Sequence, residues 1–198
     1  MKEEAEIHVE ELKKDPEFLA NIAKLEVECK AEQSIAKGYQ LLDAQLIIEA
    51  PEEEINEIFT FIVNNAFDRL AQKLSDAQSF DMKEAEDLAT ARAIYEHAIE
   101  RYSQKDKKGA KEIFLILHHT IDHAVLQDAM MIHAASVMAG HTFEDFIDNL
   151  VDVSAVDEND PLAFFIQTFS EPRADVLNKF AKEIKEAKAE LKMFKESQ

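Results

Sequence analysis

Histidine is the residue type in this sequence with the most chemistry to offer. His118, His119, His123 and His133 fall in one stretch from about residue 108 to 139, and His141 follows it. His119 and His123 are four apart, so on a helix they share a face and have the spacing to grip one metal ion. Carboxylates on other helices stand at a similar level of an antiparallel bundle. Counted from the same end, Asp68 and Glu32 lie level with His123, and His97 lies opposite residues 115 to 119. Glu32 also interrupts an apolar stripe where an aliphatic side chain is expected. His119, His123, His97, Asp68 and Glu32 would together make an oxygen and nitrogen site for a divalent or iron ion: iron, manganese or zinc.

Other chemistry is poorly represented. There is no Glu-x-x-His pair of the di-iron kind and no His-Glu-x-x-His. Three glycines cannot build a dinucleotide fingerprint or a P-loop, and no Gly-x-Ser-x-Gly elbow exists. Cys29, the one cysteine, excludes an intramolecular disulfide and falls on a core stripe, where it reads as an inert thiol. The acidic run Asp152, Asp157, Glu158, Asp160 lacks the glycine and terminal glutamate of a calcium loop. No residue is assigned a catalytic role.

The elements that must position these residues are helices. Asp15-Pro16-Glu17 is a helix start, and an apolar stripe through Phe18, Ile22, Leu25, Cys29, Ala36 and Tyr39 predicts one helix from Pro16 to about Ala50, with Gly38 as a bend point. Pro51 opens a second helix, to about Ser75. Asp81 and Glu84 resemble a capping box for a third, ending near Ser103. A fourth is predicted from Lys108 to Ala139. The fold class is therefore all-α: an up-down-up-down bundle of four long antiparallel helices at 16–140, after an N-terminal segment at 1–15. A helical appendage at 141–198 follows, with short helices from Thr142, from Leu162 to Phe169, and from Arg173. Tyr102 to Phe114 resembles the middle of a tetratricopeptide repeat, without the Trp or Leu-Gly pair expected upstream, and reads as a tight helical hairpin.

The fourth helix carries two apolar stripes, Ile116-His119-His123-Leu126-Met130-His133-Val137 and Phe114-Leu117-Ile121-Ala124-Val125-Ala135-Met138. It needs cover on both sides, from the C-terminal segment or from another chain. Met130, His133, Phe143, Phe146, Phe164 and Phe165 are the candidate interaction residues, because short helices cannot bury so many aromatics by themselves. Imidazoles buried neutral here would make stability fall below about pH 6.

The net charge of −19 disfavours phosphate backbones, so nucleic acid is not an expected partner. No secretory signal and no apolar run of about 18 residues is visible, which makes cytoplasm the expected compartment and a membrane an unexpected partner. The function these features favour is a non-enzymatic helical protein, an adaptor or scaffold acting on a protein partner or on its own copies. The alternative is a metal-binding bundle built on the fourth helix.

Overall fold

The computed structural model describes residues 9–157 and 159–196, with side chains as far as 192. Glu158 and the first eight residues lie outside that range. The class is all-α: among the described residues the only strand-like pairings are two isolated bridges, Phe80 with Ile121 and Val151 with Phe169.

Helix α1 (Pro16–Glu32) begins as its sequence dictates. Asp15 accepts from the Glu17 and Phe18 amides, and proline fills the first turn. The single helix expected to Ala50 is interrupted. Gln33 turns left-handed at φ 50°, Ser34 caps a new start, and α2 runs Ile35–Ile47. The break is held from a distance. The Glu86 carboxylate accepts from the Ile35 amide at 3.0 Å, the Ala36 amide at 3.3 Å and the Ser34 hydroxyl, satisfying donors that a helix start leaves open. Gly38, the expected bend, is instead a point of close approach. A Cβ there would stand 2.9 Å from Cγ1 of buried Ile62 on the next helix.

Helix α3 (Glu52–Ser75) follows Pro51 with three glutamates in its first turn. Helix α4 (Ala85–Ser103) starts without the expected capping box: Asp81 accepts from Lys83 in a tight turn instead. Asp106 caps α5 (Lys107–Thr120) through the Gly109 amide.

The largest correction falls on the fourth predicted helix. It is two helices, α5 and α6 (Ala124–Met138), separated by extended residues Ile121 and His123. The backbone of Phe80 fixes the break, donating to the Thr120 carbonyl at 2.7 Å and accepting from the Asp122 amide at 2.9 Å. The Gln127 side chain caps the Ile121 carbonyl at 2.7 Å. Tertiary pairing here outweighs a good helical pattern.

Helix α7 (Phe143–Leu150) has the reciprocal Thr142–Asp145 box. Residues 162–169 are not the predicted helix. They form turns that end in the Val151–Phe169 bridge. Helices α8 (Arg173–Lys179) and α9 (Ala181–Glu196) break at Phe180. Helices α1 to α6 each pack chiefly on their neighbours in sequence, and α4 also meets α2. In the last part of the chain α7 packs on α4, and α8 and α9 pack chiefly on α6. The second face of α6 is thus covered within the chain. Phe146, Phe165, Val176, Phe180 and Ala187 join the same continuous core as α2–α6. Among the described residues, no helix is long and apolar enough to cross a membrane.

Candidate interaction groove

The break between α5 and α6 decides the fate of the histidine pair. Two ligands at i and i+4 share a face only on a continuous helix. His119 lies exposed in the last turn of α5, whereas His123 is extended and uses Nδ1 to accept the Leu126 amide at 3.4 Å, as the cap of α6. The other candidates are dispersed too. Glu32 is exposed and pairs with Lys37 at 2.8 Å, and Asp68 is exposed on α3. His97 packs edge-on to Phe67 and accepts from Nε of Arg101 at 2.9 Å, so its Nε2 lone pair is taken. Among the described residues, no group of three or more His, Cys, Asp or Glu side chains is placed to hold a metal ion.

The candidate interaction residues divide in two. Met130, His133 and Phe146 are fully buried and Phe165 nearly so, so they form core and not surface. Phe143 packs edge-on to Tyr102 at 5.6 Å. His133 sits among Phe114, Phe146 and Tyr95, with ring centroids 4.6 to 5.6 Å away. Its Nδ1 lies 2.7 Å from the Ala129 carbonyl, which can only accept, so Nδ1 carries the proton. Nε2 then accepts the Tyr95 hydroxyl at 3.1 Å, and that hydroxyl accepts the Ile166 amide at 3.0 Å. Burial holds His133 down to about 4, and the hydrogen bond to Ala129 opposes this only in part. Burial also raises Tyr95 above the ordinary tyrosine range. Ser136 touches Nδ1 of His141 at 3.1 Å, but it is fully buried, with the Tyr102 hydroxyl 3.3 Å away. The Cys29 thiol is buried, held above its usual range by desolvation, and donates to the Ser34 carbonyl. None of these groups is an accessible nucleophile.

Phe164 points the other way, into an open groove of about 930 Å³ between α2, α3, α4 and the 162–168 turns. Helical spacing on α4 places Arg92 and Glu96 one turn apart on the groove wall. The Arg92 guanidinium is stacked between the rings of Tyr39, 4.0 Å away, and Phe164, 4.6 Å away. Its Nε donates to Glu96 at 2.7 Å, and the Tyr39 hydroxyl donates to the other Glu96 oxygen at 2.6 Å. Burial first, and then the Glu96 carboxylate, raise Tyr39 above the ordinary range. The cation is therefore neutralised inside the wall. What remains for a ligand is an apolar floor that includes Leu42 and Ile62, the exposed carboxylates of Asp43 and Glu100, and two exposed apolar side chains, Leu46 (50%) and Phe59 (42%). His97 lines the same groove, which the sequence did not reveal because its walls come from three helices and a turn.

Comparison of the chain with protein-family models, with curated proteins and with solved structures finds no match.

Proposed function

We propose that this chain is a non-enzymatic binding protein, an adaptor or scaffold, which seats an amphipathic helix of a partner protein in the groove between α2, α3 and α4. The observation that carries this reading is the groove itself, with Phe59 and Leu46 exposed beside an apolar floor. A groove of this kind suits a helix that offers apolar anchors at i, i+3 or i+4, and i+7. Its charged lining, apart from His97, is three carboxylates (Asp43, Glu96, Glu100) and the already paired Arg92. The complementary partner helix therefore carries Lys or Arg beside its apolar face, and the net charge of −19 steers it in.

The test is selection from a displayed library of helical peptides, with the Phe59→Asp protein as counter-target. The expected result is enrichment of basic amphipathic sequences that bind the unaltered chain and lose affinity at high salt. Enrichment of acidic peptides, or peptides that bind the variant equally well, would refute the groove assignment.

A further inference from the structure

A second cavity lies between α1, α2 and α3, away from the groove. It encloses about 310 Å³. The continuous core reaches Ile35, Tyr39 and Leu42 on α2 and meets this space through Ile58 and Phe61, which pack against it, while Cys29 and Leu41 are buried outside the core cluster. Leu41, Ile58 and Phe61 give the cavity an apolar lining.

Two features specify what would fill it. Gln45 lines the cavity and is only 8% exposed, and among the described residues its Oε1 is the one buried side-chain oxygen or nitrogen without a hydrogen-bond partner. An unsatisfied buried carbonyl oxygen is costly and calls for an N–H or O–H donor. The second feature is charge. Glu26, Glu54 and Glu57 line the same cavity with a single cation, Lys30. Lys30 is engaged by Glu26 at 2.6 Å and feels Glu57 only through space, and among the described residues neither Glu54 nor Glu57 forms an ion pair.

We propose that this cavity binds a small aliphatic amine. Its N–H groups satisfy Gln45, its positive charge answers Glu54 and Glu57, and its methylene chain lies on Leu41, Ile58 and Phe61. The inference is independent of the partner-helix reading, since the two sites share no lining residue that carries either argument.

Putrescine is the probe, titrated calorimetrically at 150 mM salt (roughly an 8 Å screening length) so that diffuse attraction to an acidic chain is suppressed. 1,4-Butanediol, of the same length and uncharged, is the control. Cys29 supplies a second readout. It is the chain's one thiol and lies buried at the cavity, so a reagent reaches it only when the wall opens, and a ligand that holds the cavity closed slows its alkylation. The expected result is one putrescine per chain, and alkylation slowed about tenfold at ten times the Kd, as mass action requires. Gln45→Met should abolish the binding while stabilising the free protein. The double variant Glu54→Gln/Glu57→Gln changes only exposed positions and should keep the fold, but weaken binding about tenfold, from two partly screened charges. Three outcomes overturn the proposal: no saturable binding, equal binding by Gln45→Met, or butanediol binding as tightly as putrescine.

Discussion

Acidification should destabilise this protein through His133 before most of its carboxylates respond. His133 is held neutral in the fold at about 4, against an ordinary value of 6.5. The unfolded chain therefore binds the proton first as pH falls, and stability is lost between these two values. A displacement of that size corresponds to about 3 kcal/mol in total, of which about 2 kcal/mol is gone by pH 5. The local reason is geometric. Nδ1 already donates to Ala129, so the added proton must go on Nε2, which then confronts the Tyr95 hydroxyl with a donor where it needs an acceptor. For a chain of this length, 2 kcal/mol lowers Tm by roughly 4 to 8 °C. The assay is thermal unfolding at pH 7.5 and 5.0, for the unaltered chain and for His133→Gln, whose neutral amide has a similar reach. The difference between the two proteins cancels the surface carboxylates, including Asp106 and Asp145, whose hydrogen bonds hold them below the usual range. If both lose the same number of degrees, the neutral buried imidazole is not the cause and the reasoning fails.

Other outcomes follow from individual contacts. Glu86→Ala removes the remote cap of α2 and should cost about 1 to 2 kcal/mol in urea unfolding, far more than an ordinary surface glutamate. Gly38→Ala gains helix propensity but drives a methyl against Ile62, and a net loss near 1 kcal/mol is expected from the same measurement. Protein purified without chelator should carry iron, manganese or zinc well below one equivalent by elemental analysis. Stoichiometric metal that disappears in His119→Ala would restore the histidine ligand assignment.

The sequence carried the helix starts that rest on local chemistry. Asp15-Pro16 and Thr142 cap where their residue types require, because a cap is a contact between near neighbours in the chain. The breaks were harder to read. Gln33-Ser34 holds a capping serine, but the apolar stripe runs on past it, and the deciding carboxylate sits 52 residues away on Glu86. No glycine or proline marks Thr120 to His123, and that break depends on the backbone of Phe80. The predicted metal site relied on an unbroken α5–α6, so it was lost with that helix. Asp160-Pro161 imitates a helix start, but the segment after it is held in turns, with Phe165 packed on Tyr95 and the Ile166 amide bonded to the same ring's hydroxyl. The aromatic residues were expected to need cover, from the chain itself or from a partner. Which of them face inward, and which face the groove, depends on contacts between segments some 70 residues apart.

Packing on sequence neighbours has a kinetic consequence. A chain whose helices meet mainly the next helix along closes short loops first, and such low contact-order topologies fold fast, in microseconds to milliseconds for small domains. It can also fray from its ends in cooperative pieces without opening its middle. Among the links that run against that order are the Tyr95–Ile166 hydrogen bond and the Lys111–Glu190 ion pair at 2.5 Å. Both fasten the last third of the chain onto the α4–α5 hairpin. Hydrogen exchange should therefore rank α4, α5 and α6 as the slowest segments. Tyr95→Phe removes the partner of both the Ile166 amide and His133 Nε2, so it should speed exchange in 162–169 and around His133, leaving α1 and α2 at their original rates.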